Sequence, residues 1–500
     1  MAKDKTPPDA LPDNIEDCHK MIRELFSRIA ELEKQLSRRN RALFGKKSAK
    51  VDSTLLTGTG KAIHFQTSEE LESEKKHLEI VDDKKHGGGR THSSSLPERT
   101  IEHRLPDTEL PCPCGGGTRE IIGFETSTQI EYVDTLFANL KHVQFKYSCK
   151  KCQGQLVLAQ KPYQPIDKGK VGPGLLAKIV HDKFVVHLPL YRQEKIFLSQ
   201  DIPINRSSMC RWMKEAADLL EPIANKIQKL ILKSKVIQSD ATKLPVIKKG
   251  AGKTHNATIW SFVGDKNAPY IYFDFSETEH GIYPEQILSG YKNILQTDGT
   301  NKYNEIIRQG AIQVNCWAHV HCKFEDAWKE DAIAAEFPMG VIKSLFDIER
   351  VAAQLTEDER KDLRQRLAKP KLKMLETWLR EKEHIALPKS KLGEAIFYTL
   401  ERWAGLCRYA DTGFVEISNN ACERSIKPIV LGKRNWLFAG SMEGGKTATI
   451  LLSIVETCKR LKINPVEYLR DVFTRLPNSP TFQIDEFIPD RWLSLKEKEI

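Results

Sequence analysis

The sequence predicts a multidomain α+β protein: an α/β sheet domain carrying a helical insertion, preceded by a coiled-coil helix, a cysteine-bearing β module and a helical pair. Three observations point to it. From Val236 onward the chain alternates in β-prone runs, KVIQSDATKLPVI, ATIWSFVGD and PYIYFDFSE, before a return run at NILQTD. Two tight cysteine pairs, Cys112/Cys114 and Cys149/Cys152, flank another β-prone stretch. Apolar residues at Ile22, Leu25, Ile29, Leu32 and Leu36 alternate spacings of three and four, the period of a coiled-coil seam. At 500 residues the chain exceeds what one hydrophobic core usually organises, so several cores are expected.

Residues 1–45 read as the coiled-coil helix and predict self-association, although an amphipathic helix packed on its own protein fits the same spacing. SRRNRALFGKKSAK and KKHGGGRTHSSS mark 46–104 as a basic flexible linker. Residues 105–165 read as a zinc-ribbon-like domain, because two knuckles joined by a hairpin let Cys112, Cys114, Cys149 and Cys152 complete a tetrahedral thiolate shell. The second pair has the usual CxxC spacing. The first is CxC, a tighter knuckle, for which His103 or His142 could substitute; a metal-free β domain is the alternative. Residues 170–233 are helical in pattern: LYRQEKIFLSQ, the turn DIPI and a long helix from about Asn205 resemble a helix-turn-helix. Asn205 or Ser207 can cap that helix, and Arg206, Ser207, Ser208 and Arg211 are types that reach base edges or phosphates. A plain helical connector is the competing reading. Residues 234–440 hold strands in succession followed by a return strand, which suits an α/β sheet of RNase H type, with an amphipathic and charged helical insertion at about 324–410. Residues 441–500 form a C-terminal helical region.

A formal net charge of +10 favours a polyanionic partner. No apolar run approaches the roughly 18 to 20 residues that span a bilayer, and the opening MAKDKTPPDALPDN lacks the apolar core of a signal peptide, so a cytoplasmic protein without membrane contact is expected. In that reducing setting the 11 cysteines are thiols or metal ligands.

Asp240 in VIQSDATKLPV and Asp298 in NILQTDGTNKY each close an extended run, where a sheet presents carboxylates to a shared site. Glu423 stands in SNNACERSIKP, a helix-like segment that Asn419 or Asn420 can cap. Two Mg²⁺ ions about 4 Å apart need a bridging carboxylate with others to either side, so Asp240, Asp298 and Glu423 are the catalytic and metal-ligating candidates for phosphoryl transfer on DNA. Arg424, Lys427, Lys433 and Arg434 surround Glu423 as phosphate contacts. Cys316, His319, His321 and Cys322 are too crowded to meet one zinc ion unaided; a structural or DNA-facing role is expected, with His319 near the active site. Gly440 to Thr447 matches GxxxxGK[ST], the pattern of an ATP-binding loop. No apolar run ending in a metal-binding Asp follows it, and Gly444 and Gly445 serve equally as a tight strand-to-helix turn.

FGKKSAK, CPCGG with YSCKKC, HLPLYRQEKIF, LQTDGTNKY, CWAHVHCKF, NNACERSIKP, LGKRNWLFAGS and NPVEYL occur in that order. On these motifs the chain resembles the transposases of the insertion-sequence sixty-six family over nearly its whole length. The resemblance implies a DDE transposase of RNase H-like fold, with Asp240, Asp298 and Glu423 as the triad and Mg²⁺ as cofactor. It implies binding to terminal inverted repeats and target DNA, a homo-oligomer on DNA, and companion proteins of the same element. Water would cut the phosphodiester at the element's end, and the freed 3′-hydroxyl would attack target DNA. Ala241, Lys243, Ser418, His321 and Cys322 stand where the family usually has other residue types, and none is a triad position. A zinc-ribbon and helix-turn-helix DNA-binding regulator that has lost its chemistry is the alternative.

Overall fold

The computed structural model describes residues 96–115, 117–133, 136–151, 156–166, 169–247 and 254–499. The expected coiled coil, most of the expected linker and Cys152 lie outside the described residues. Strands β1 (Glu98–His103), β2 (Arg119–Val133), β3 (Leu136–Cys149) and β4 (Val157–Leu158) form a mixed sheet; β3 pairs antiparallel with β2 and β4 and parallel with β1. The β1 residues fall within the linker expected at 46–104. Their pairing with Asn139–Gln144 overrides that reading, which failed because β1 is exposed nearly throughout and so carries no buried alternation.

Helices α1 (Pro173–Phe184), α2 (Leu190–Ser199) and α3 (Arg206–Ile231) follow. Proline opens α1 at a position where its missing N–H costs nothing. The Asn205 side chain caps α3 by accepting the Ser208 N–H at 2.9 Å. Along α3 the residues Met209, Trp212, Ala216, Leu220, Ile223, Ile227 and Ile231 recur every three or four positions and are buried as one stripe.

The second sheet contains β5 (Val236–Ile247), β6 (Thr254–Val263), β7 (Ile271–Ser276), β8 (Ile294–Thr297) and β9 (Ile312–Asn315) in the order β7-β6-β5-β8-β9. The pairs β5/β6 and β6/β7 are antiparallel, whereas β5/β8 and β8/β9 are parallel. Next comes the insertion, with α4 (Trp317–Glu330), α5 (Ala332–Ala352), α6 (Glu357–Leu363), α7 (Lys369–Glu383) and α8 (Lys391–Glu401); it starts at Trp317, ahead of the expected 324. The chain then returns through α9 (Asn420–Trp436), α10 (Met442–Arg460), α11 (Pro465–Arg475) and α12 (Pro489–Glu499).

Side chains alternate across the sheet, and the two faces bury different cores. Ile237, Leu295 and Ile259 join α1, α3, α10 and α11 in one cluster, so the boundary expected at 233/234 does not separate two cores. Val236 and Val314 instead face the insertion, with Trp317, Phe324, Leu345 and Leu375. Helix α10 also closes the β7 edge: the hydroxyls of Ser453 and Thr457 accept the N–H groups of Phe273 and Ile271 at 2.9 and 3.0 Å. Gly445 lies within α10, where a Cβ would come within 2.3 Å of the Phe275 ring. Gly444 and Gly445 of the GxxxxGK[ST] match are therefore helical, not a turn, and Gly445 serves helix-to-strand packing. Among the described residues, no helix is long and apolar enough to cross a membrane.

Candidate active site

Asp240 and Asp298 stand side by side. The parallel ladder pairs Gln238 with Gln296, and each aspartate lies two residues further on, on the same face as its glutamine. Asp298 begins a tight turn in which Gly299 has φ +84° and Thr300 donates its N–H to Asp298 Oδ1 at 3.1 Å. Two side chains of the α8 region hold this turn from outside: the Tyr398 hydroxyl donates to the Asp298 carbonyl at 2.6 Å, and Arg402 Nη2 to the Gly299 carbonyl at 3.0 Å.

Glu423 comes from α9, more than a hundred residues along, and polar groups fix that helix to the sheet. Gln238 Nε2 donates to Gln296 Oε1 at 2.9 Å and to the Ser418 carbonyl at 3.2 Å, while Gln238 Oε1 accepts the Cys422 N–H at 3.1 Å. Gln296 Nε2 donates to the Glu416 carbonyl at 2.7 Å. Ser261 and Ser425 hydroxyls meet at 2.7 Å one turn further along α9. These glutamines are buried and their bonds run to the backbone of 416–422, so the lead-in to Glu423 is clamped to the strands that carry the aspartates. Sequence reading missed them, although Gln-Ser-Asp at 238–240 and Gln-Thr-Asp at 296–298 repeat one spacing. Asn419 takes the N-cap position of α9 without a side-chain cap bond.

Electrostatics links the three carboxylates. Burial pushes the Asp240 carboxyl up to about 6; the Ala241 N–H, bound at 2.7 Å, pulls the other way, and the neighbouring charges of Asp298 and Glu423 add to the rise. His319 Nδ1 lies 3.7 Å from Glu423 Oε1, and ligand atoms of Cys316, His319 and Glu423 lie within 4.8 Å of one another. The Trp317 N–H, bonded to the Ile417 carbonyl at 3.1 Å, brings the start of α4 to that place. Burial pushes the Cys316 thiol up to about 11, which keeps it neutral.

The basic candidates divide. Arg424, Lys427 and Arg434 are exposed on α9, and Lys427 follows Glu423 by one helical turn. Lys433 is not available for a phosphate: its Nζ donates to Thr242 Oγ1 at 3.0 Å and to the Lys243 carbonyl, bracing α9 on β5. On α3, Ser207 and Arg211 are exposed, whereas Arg206 and Ser208 are half-buried. The Arg206 N–H donates to Glu194 Oε1 at 2.7 Å. Arg211 lines a cavity of about 430 Å³ shared with Trp436 and Phe438. This set lies on a different element from the carboxylates.

Cys112, Cys114 and Cys149 converge at the open end of the β2/β3 hairpin, where Arg119 pairs with Cys149. Their sulfurs lie within 4.8 Å of one another, and Cys114 Sγ is 3.8 Å from Cys149 Sγ. Tetrahedral bonds of about 2.3 Å place neighbouring sulfurs about 3.8 Å apart, so the CxC spacing fits zinc. His103 and His142 do not substitute for a thiol. His142 lies seven residues before Cys149 on the same strand, about 23 Å at 3.3 Å per residue. The two histidines pair with each other instead, Nε2 to Nδ1 at 2.9 Å, and burial lowers His142 to about 4.

Comparisons with known proteins agree along the chain. Residues 109–153 match the zinc-finger binding domain of transposase IS66, and with the cysteine cluster this points to zinc binding. Residues 453–489 match the IS66 C-terminal element. The uncharacterized protein y4hP of Sinorhizobium fredii (strain NBRC 101917 / NGR234) is 29% identical over 411 residues, 77% of this chain and 74% of that protein. The uncharacterized protein y4qI of the same strain is 30% identical over 400 residues, again 77% and 74%. Residues 168–447, more than half of the chain and including the carboxylates and their clamp, match the transposase family itself, and this protein belongs to the IS66 family of transposases.

Proposed function

We propose that the protein cuts and joins DNA at the ends of an insertion sequence through Asp240, Asp298 and Glu423 acting as a DDE triad. The observation that supports this reading is at Asp240, whose proton affinity is raised first by burial and then by the nearby charges of Asp298 and Glu423. Such a cluster of hard oxygen ligands is suited to Mg²⁺, which would neutralise it and stabilise the charge that develops during phosphoryl transfer. The strand order and directions of the second sheet support an RNase H-like reading of the domain.

In this reading the aspartates and Glu423 orient the scissile phosphate from the sheet side, while Arg424, Lys427 and Arg434 hold the flanking backbone. Water attacks phosphorus, the bond to the 3′ oxygen breaks, and that oxygen leaves as a hydroxyl. The hydroxyl then attacks a target phosphodiester and displaces its 3′ oxygen. One P–O bond forms for each that breaks, so joining needs no external energy source. Helix α3, with Arg206, Ser207, Ser208 and Arg211 at its capped start, is the candidate reader of the terminal repeats. Cys152 would be the fourth zinc ligand, and residues 1–45 the means of self-association on DNA; companion proteins of the same element belong to this reading as well.

The test is a supercoiled plasmid carrying the element, purified full-length protein and Mg²⁺. End-specific nicks are expected, and none with Asp298→Ala. Undiminished nicking by that variant would sink the triad, and footprinting without nicking in Mn²⁺ would favour a DNA-binding regulator.

A further inference from the structure

A second charged cavity lies beside the carboxylates. It has a volume of about 470 Å³ and is bounded by the start of β5, the end of β6, the insertion between α5 and α6, the start of α9 and the end of α10. Five cationic side chains and three carboxylates line it, which leaves positive charge in excess. The carboxylates are already engaged. Glu357 pairs with Lys266, and Glu416 with Arg360 at 3.1 Å. Asp265 is consumed by backbone: its oxygens accept the N–H groups of Lys235, Val236, Asn267 and Ala268.

Three cations remain. Arg424 is exposed and has no ion pair among the described residues. Arg460 ends α10, half-buried, with only Nη2 committed, to the Gly264 carbonyl at 2.7 Å. Lys235 Nζ sits 5.6 Å above the Phe414 ring. Burial disfavours the charged form of Arg460, the Asp265 carboxylate favours it and Arg424 opposes it again, so two guanidinium groups face one cavity in which Asp265 offsets part of their repulsion. An anion between them relieves that repulsion, and guanidinium forks match phosphate oxygens.

Position says which anion. Gln238 lines this cavity, and Asp240 lies two residues further on the same face of β5, about 7 Å away. We propose that Arg424, Arg460 and Lys235 form a phosphate subsite that grips the DNA backbone beside the bond held at Asp240, Asp298 and Glu423. The subsite rests on the DNA-cleavage reading for its ligand but not for its charge.

The test measures equilibrium binding of full-length protein to a 30-base-pair duplex between 50 and 300 mM NaCl, for wild type, Arg424→Gln, Arg460→Gln and the double variant. Each lost phosphate contact lowers the slope of log K against log salt by about 0.9 and the affinity at 0.1 M salt about eightfold, so the double variant should lose about 60-fold. Arg424→Lys should restore the slope of Arg424→Gln. Equal slopes in wild type and Arg424→Gln overturn the proposal; because Arg424 is exposed, that variant decides even if Arg460→Gln fails to fold. Should inorganic phosphate raise the thermal midpoint of wild type but not of the variants while DNA slopes stay equal, the pocket serves free phosphate and the DNA assignment falls. Reduced slopes in a protein that nicks no DNA would uphold the subsite and refute the cleavage reading. Normal nicking with unchanged slopes would do the reverse.

Discussion

Asp240 is a carboxylate held against its ordinary titration in the candidate site, and Asp240→Asn probes that perturbation directly. Its folded-state pKa is about 6 against 3.8 for an ordinary aspartate, because burial and the charges of Asp298 and Glu423 outweigh the Ala241 N–H and His319. The folded protein therefore holds this proton more tightly than the unfolded chain does. The resulting stabilisation is complete below about pH 4 and is lost as pH rises through 6. At pH 8 the ionised carboxylate costs the fold about 3 kcal/mol, at about 1.4 kcal/mol for each tenfold change in proton affinity. Asparagine has the same shape, carries no charge and can still accept the Ala241 N–H. In magnesium-free buffer at pH 8, Asp240→Asn should unfold several degrees higher than wild type by circular dichroism, and the gap should close toward pH 4. Added Mg²⁺ should raise the wild-type midpoint and leave the variant unchanged, and the variant should not nick DNA. A variant no more stable than wild type at pH 8, or a gap independent of pH, would refute the argument that burial and its acidic neighbours destabilise the ionised Asp240.

Gly299→Ala should cost about 1 to 3 kcal/mol and slow strand cleavage at least tenfold, since φ is +84° and the new Cβ would lie 2.6 Å from Arg402 Nε and Asn315 Nδ2; wild-type denaturant midpoints and nicking rates would contradict the role given to the Asp298 turn. Cys114→Ser should release one equivalent less zinc than wild type to a colorimetric chelator, and equal zinc contents would remove Cys114 from the site.

The second sheet was legible because β5, β6 and β7 are long runs of β-branched and aromatic residues, and Asp240 and Asp298 were legible as polar breaks within or after such runs. Glu423 was marked by the cations around it, but which cations face outward needed the helical period. Cys422, Ser425, Ile426, Ile429 and Gly432 are the buried positions of α9, and Lys433 follows that stripe toward β5, whereas Lys427 and Arg434 point away. Strand β1 was not legible, since pairing alone holds it and no buried stripe marks it. The start of the insertion was placed late because Trp317 and Val320 belong to the core beneath β9 and read as continuous with it. The mutual contact of His103 and His142 depends on the β1/β3 register, which no spacing in the chain announces.

The glutamine clamp has a consequence for how this chain can change over time. Closing a longer loop is cheap, about 0.6 kcal/mol for each doubling of its length, provided its ends are fastened by something other than the loop. Gln238 and Gln296 fasten the returning chain at residues 416–422, and the turn at Asp298 and Gly299 fastens the last helix of the insertion through Tyr398 and Arg402. Ahead of those two anchorages, α5, α6 and α7 can lengthen, shorten or acquire new surfaces at little cost to the spacing of the three carboxylates. The part of the protein free to diversify and the part that must hold still are thus neighbours in space, separated by a few buried amide bonds.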